Sequence, residues 1–305
     1  MYRYRIFGLV VESEICLDIL RTEADPKHPA DITFKRGDIG YDVLPMMEAS
    51  PHFNYEAENG VLMVWPGVAG FCIHSISSVT VQPYPTAPDS YLAFPILGPV
   101  IAWVLHTREI MTLHASAVLW RGLTIGFLGD KMAGKSTTAA AFIENKAELI
   151  TDDLLAFDMS DPKTPLIQPT FAQLKLTDQS ANSVVLSGSE KLPLVFEGFE
   201  KRQVKLQSMQ QTPVPCNALL VLKRGGTVPT IRWYNGSDRL QMLMRFSYNV
   251  RFANAPLHLQ ARARHFRQCA ELSKVLRVGE LSIPAQLDRL QETVEHVGHT
   301  LKALS

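Results

Sequence analysis

The chain has 305 residues, 46% of them hydrophobic, with 30 basic and 30 acidic side chains. That length buries a substantial core and permits one large domain or two, while the balanced charge excludes a broad electrostatic grip on nucleic acid or an anionic membrane. Four cysteines, Cys16, Cys72, Cys216 and Cys269, are too scattered for a metal-binding cluster and read as buried thiols of a cytoplasmic protein.

From the N-terminus, residues 4–11, 31–34, 60–65 and 77–81 are short and strand-like, separated by turn-rich segments such as ADPKHPAD and SPHF. They predict a β-rich N-terminal module over residues 1–89. Its apolar opening at 6–11 is interrupted by Glu12 and lacks a cleavage region, so no secretory signal is expected. The segment QPYPTAPDS, with three prolines, is the expected linker into a second domain over residues 90–305. Residues 90–107 are uncharged over about the minimum length that spans a bilayer. Pro95 and Pro99 should break the first half, leaving residues 100–108 as a short buried helix rather than a membrane span.

The sequence GDKMAGKST then fits the phosphate-loop pattern G-x-x-x-x-G-K-[ST] at every specified position, Gly129, Gly134, Lys135 and Ser136, with Asp130, Lys131, Met132 and Ala133 between the glycines and Thr137 following, all nine expected to cradle the nucleotide. An apolar strand (residues 123–130) precedes it and a helix (137–146) is expected after it. The two glycines let backbone amides wrap phosphates at a helix N-terminus, and Lys135 supplies a positive charge for the β- and γ-phosphates. Ser136 is the expected ligand of Mg²⁺, which prefers hard oxygen donors shared with the phosphates. The pattern implies a nucleoside triphosphate. Next, residues 147–157 read as one strand whose C-terminal end carries Asp152 and Asp153. Reached through a single helix, it is expected beside the loop strand, with the acids at the same sheet edge. One carboxylate can then serve Mg²⁺ while the other accepts a proton from an attacking hydroxyl.

Farther on, residues 216–224 predict a core strand, with IRWY as a candidate neighbour. Residues 235–274 read as mostly helical with a break at 254–256. A last helix is expected over 283–303, its apolar face marked by Leu287, Leu290, Val294 and Val297. Arg245, Arg251, Arg262, Arg264 and Arg267 gather in the late helical region. Guanidinium groups can bind phosphate or an acidic peptide, but such charges usually sit on a solvated face, so none is assigned to the site. The basic segment FEKRQVKL fits either a substrate contact or an exposed strand edge.

The run MTLHASAVLWRGLTIGFLGDKMAGKST followed by ITDD resembles the catalytic core of HPr kinase/phosphorylase and its relatives, which share a kinase fold with phosphoenolpyruvate carboxykinase. The likeness covers roughly residues 111–157. It implies an α/β phosphate-loop kinase domain with a smaller β-rich module, ATP and Mg²⁺ as cofactors, and a serine-bearing peptide or protein as substrate. By motif position it implies that Asp152 is the base, that Ser136 and Asp153 hold the metal, and that Lys135 and His114 complete the catalytic set. A homo-oligomer is also compatible with it. The glycine-rich signature that serves phosphorolysis has no counterpart between residues 158 and 199, where QPTFAQLKLTD stands instead. The opening residues 2–20 are similar to relatives found with ribosomally made peptides, some of which phosphorylate lasso-peptide precursors. A kinase of free serine or another small hydroxyl compound, and a nucleotide-binding regulatory module without transfer activity, remain the alternatives. A carboxykinase lacks its further metal-site motifs here.

Overall fold

The computed structural model describes residues 1–20, 22, 27–41, 51–194, 201–252 and 259–303. The chain is mixed α/β and forms two compact units, one of Met1–Ile110 with Arg251–His258, the other of Met111–Val250 with Leu259–Ser305. The first boundary thus follows Ile110 rather than the expected linker at 89/90, because the helical segment after the linker belongs to the first unit.

That unit holds a seven-stranded sheet of β1 (Tyr2–Ile6), β2 (Leu9–Ser13), β3 (Ile32–Arg36), β4 (His52–Ala57), β5 (Gly60–Trp65), β6 (Ala69–Ser75) and β7 (Ser78–Pro83). The order is β1-β2-β3-β7-β6-β5-β4. Residues 4–11, expected as one strand, are instead a tight hairpin: Phe7 (φ 54) and Gly8 (φ 78) both take the left-handed conformation that a two-residue hairpin turn requires. The following helix is interrupted in its Pro95–Pro99 stretch, as expected. α1 (Asp89–Pro95) and α2 (Ile101–Thr107) are separated by a kink over Ile96–Val100, where Gly98 leaves helical backbone (φ −114, ψ −113), and α2 is the short buried helix expected. This run is long and apolar enough to cross a membrane, with mean hydropathy 1.4, yet 61% of the window is buried in the structure. Trp103 of α2 packs edge-on against Phe252, ring centroids 5.2 Å apart, and the same Phe252 lies 6.3 Å from Tyr55.

The second unit is built on a six-stranded sheet. Its members are β9 (Ala115–Trp120), β10 (Leu123–Leu128), β11 (Glu148–Thr151), β18 (Ala218–Gly226), β19 (Thr230–Trp233) and β20 (Arg277–Pro284), in the order β11-β9-β10-β18-β20-β19. Strands β10, β18 and β20 are parallel neighbours. β11 is not beside β10: β9 lies between them, antiparallel to both, so the crossover through α3 (Lys135–Glu144) skips one position. β11 and β10 still run the same way, and both C-terminal ends reach one edge. Likewise β20, unforeseen in the sequence, separates β19 from β18.

Two apolar layers cover this sheet. On one face α3 and α7 (Leu290–Lys302) close a core around Phe127, Phe142, Val294 and Val297. The three-stranded sheet of β14 (Gln173–Thr177), β15 (Glu190–Leu194) and β16 (Lys201–Lys205) adds Leu174, Leu176 and Val204, with α4 (Asp178–Asn182) alongside. The other face is closed by α5 (Gly236–Arg245), α6 (Leu259–Val275) and the small sheet of β8 (Met111–Leu113), β12 (Leu155–Asp158), β13 (Leu166–Ile167) and β17 (Val214–Pro215). The expected stripe of the last helix faces the core, with Leu301 extending it, although residues 283 and 284 end β20 instead. The break expected at 254–256, and the start of the FEKRQVKL segment, lie outside the described residues. Cys72 and Cys269 are buried as expected; Cys16 is exposed.

Candidate functional site

The loop between β10 and α3 takes its shape from its glycines. Gly129 (φ 152) and Gly134 (φ 99) occupy positive-φ backbone. A Cβ on Gly129 would stand 2.8 Å from the Ala133 Cβ, and one on Gly134 2.6 Å from Arg224 Nη2. Met132 also has positive φ (68) and sits at the exposed tip with Asp130 and Lys131. Lys135, only 8% exposed, folds back under the loop and donates from Nζ to the carbonyls of Gly129 (2.9 Å) and Asp130 (3.1 Å). Gly134 is the N-cap of α3 and no side chain caps that helix start, which leaves the positive end of its dipole facing the loop. Thr137 points inward and bonds Ser180 of α4 at 2.9 Å.

The acidic pair does not end a long strand. It occupies a bend between β11 and β12, closed by the Thr151 hydroxyl donating to the Leu154 carbonyl (2.6 Å), with Asp153 in left-handed backbone (φ 74). A register shift between Leu149 and Thr151 in the pairing with β9 precedes it. Because β9 runs antiparallel, its first residues lie at the same sheet edge, and Ser116 therefore stands between the loop and the acids.

Asp152 is 5% exposed and fully engaged. Its Oδ1 accepts from Ser116 Oγ (2.5 Å) and from Ser136 Oγ (2.9 Å), and its Oδ2 from the Lys175 amide (2.9 Å). Burial, and secondarily the neighbouring Asp153 charge, push its pKa above the ordinary aspartate value, against the pull of those donors. Asp153 is more open, its side chain 28% exposed. Its Oδ2 accepts from Lys175 Nζ at 3.0 Å, and His114 Nδ1 lies 3.2 Å from its Oδ1 and 2.8 Å from its carbonyl oxygen. Since a carbonyl only accepts, His114 carries its proton on Nδ1. Its ring is steadied edge-on by Tyr248 at 6.0 Å.

The motif residues thus converge at one sheet edge: the loop, Ser136, Asp152, Asp153 and His114. Lys175 was missed. It holds both carboxylates at once, one through its backbone and one through its side chain. The alternation of QLKLT, with Leu174 and Leu176 in the core and Gln173 and Lys175 on the opposite face, was the available signal. Gln173, on that face and 3% exposed, has an Nε2 without a hydrogen-bond partner. Ser116 was likewise visible only as part of the HAS run.

The residues fit a magnesium–triphosphate complex. Among the described residues there is no cluster of three or more His, Cys, Asp or Glu side chains that would hold a metal alone. A hydroxyl hydrogen-bonded to a carboxylate, beside an uncapped helix start, is the hard-oxygen set that magnesium uses when the phosphates supply its other ligands.

No family model matches the chain, and no curated protein matches it. Among solved structures, it is similar to the Hpr(Ser) kinase/phosphatase from Coxiella burnetii, with 12% sequence identity and a TM-score of 0.33, over 64% of this chain and 99% of that one.

Proposed function

We propose that the protein is a phosphotransferase that moves the γ-phosphoryl group of ATP to the serine hydroxyl of a peptide or protein. The observation that carries this is the Ser136–Asp152 hydrogen bond, which joins the phosphate loop to an acidic pair at the same sheet edge. A loop of this kind binds phosphates; the acids beside it make transfer chemistry available.

In this reading the amides at the start of α3 and the Lys135 ammonium receive the β- and γ-phosphates, Lys135 leaving the two carbonyls it now holds. Ser136 would hold Mg²⁺, with Asp152 orienting its hydroxyl. When bound, the metal supplies neutralisation of charge on the β- and γ-phosphates. Asp153 takes the proton of the acceptor serine as its oxygen bonds to the γ-phosphorus and the bond to the β-phosphate oxygen breaks, releasing ADP. His114 and Lys175 hold Asp153 in place. Two points favour this exchange of the roles implied by the family resemblance. Asp152 has its oxygens engaged by three donors and almost no exposure, whereas the Asp153 side chain, though contacted by Lys175 and His114, is 28% exposed.

The test is acceptor-dependent ADP formation, with mass analysis of the acceptor, across serine peptides and free serine. A phosphoryl gain on peptide, lost in Asp153→Asn, supports the proposal. Gain on free serine alone moves the acceptor class, and tight nucleotide binding without any transfer leaves a regulatory module.

A further inference from the structure

Two guanidinium groups from outside the motif rest on the phosphate loop. Arg224, at the C-terminal end of β18, donates from Nε to the Ala133 carbonyl at 3.2 Å and lies against Gly134. Arg245, the last residue of α5, donates from Nη2 to Asp130 Oδ2 at 2.8 Å and sits over the Phe246 ring at 5.2 Å. The chain just beyond Arg245 is tied to the acidic pair's surroundings: the Phe246 carbonyl accepts from the His114 amide at 2.8 Å, and Ser247 bridges to Leu113. Arg245 therefore connects the loop to the segment that positions His114, which in turn contacts Asp153.

The placement is electrostatically unfavourable without an anion. Lys135, Arg224 and Arg245 gather at the positive end of the α3 dipole, where cations are disfavoured and anions favoured. The compensating acid on the loop, Asp130, is 70% exposed, and an ion pair that open contributes little to stability. We infer that Arg224 and Arg245 are the terminal-phosphate ligands of this site, with Arg245 exchanging Asp130 for the γ-phosphate and Arg224 bonding the β-phosphate side. A planar guanidinium with paired donors suits phosphate oxygens and the charge that spreads over them during transfer. The inference rests on the phosphotransfer reading above.

The experiment measures affinity of the full chain for ADP and for the non-hydrolysable ATP analogue adenylyl imidodiphosphate, each with Mg²⁺. The wild type is expected to prefer the triphosphate. Arg245→Gln should lose about tenfold in triphosphate affinity, the scale of one charge-assisted hydrogen bond, with ADP affinity nearly unchanged. Arg245→Lys should recover only part of the preference, and Arg224→Gln should weaken both ligands. Asp130→Asn reads the same exchange from the other side, and because it frees Arg245 it should tighten the triphosphate. It also stands in if Arg245→Gln fails to fold. Wild-type preference in Arg245→Gln, or no gain in Asp130→Asn, overturns the inference and leaves the phosphotransfer reading intact. Failure of the wild type to bind either nucleotide overturns both.

Discussion

Asp152 is a carboxyl group buried among three hydrogen-bond donors, and this has a pH signature. Its pKa is raised in the folded protein, by burial first and by Asp153 second. The folded state therefore keeps a proton that the unfolded chain has already released. In the window beginning near the ordinary value of 3.8 and extending upward to the folded pKa, stability falls as pH rises. Asp152→Asn should remove that slope, seen as a nearly pH-independent melting temperature in the variant over the window where the wild type declines. A wild-type slope retained in Asp152→Asn would place the titrating group elsewhere. The same pair separates the two chemical roles. Asp153→Asn should abolish transfer with little effect on Mg²⁺-nucleotide affinity, whereas Asp152→Asn should weaken Mg²⁺-dependent binding because Ser136 loses its charged partner. The opposite pattern would restore the assignment of Asp152 as base. The loop and both acids were legible in the sequence from spacing and residue type, and His114 only through the family resemblance. Lys175 was not, since one lysine in an alternating strand looks the same whether it meets solvent or a carboxylate pair.

At the scale of elements, the loop helix carries the site and the core together. Phe142 of α3 is fully buried, edge-on to Trp120 with centroids 5.3 Å apart and tilted against Phe127 at 5.3 Å. Phe142→Ala should cost about 3–5 kcal/mol by chemical denaturation, with no change in nucleotide affinity of the molecules still folded. Gly134→Ala acts in the opposite way. Its left-handed backbone costs an L-residue roughly 1–2 kcal/mol, and the new methyl meets the Arg224 guanidinium, so nucleotide affinity should fall well beyond the modest stability loss. Equal losses in both measurements would mean that the loop is only a turn. Element positions were readable where period or motif was strong, as in β5, the loop helix and the stripe of α7. The reading failed where a tertiary arrangement overrode a local rule: a phenylalanine in a hairpin turn, and a strand inserted between two that the sequence placed side by side.

At the scale of the whole molecule, the chain leaves the second unit after Val250, contributes Arg251–His258 to the first, and returns at Leu259. Stability in such a chain need not be a single quantity, because each unit has its own sheet and its own core. A ligand that binds one folded unit raises only that unit's transition, by about 2.7 kcal/mol at a free concentration a hundred times Kd. Mg²⁺ with adenylyl imidodiphosphate should therefore shift one of two thermal transitions, the one lost when the Phe127–Phe142 core is cut. Phe252→Ala tests the other. Phe252 is 3% exposed and packs on Trp103 and Tyr55, so its truncation should lower the ligand-insensitive transition while triphosphate affinity is unchanged. A single transition that moves with both the ligand and Phe252→Ala would show that the two cores unfold as one cooperative body.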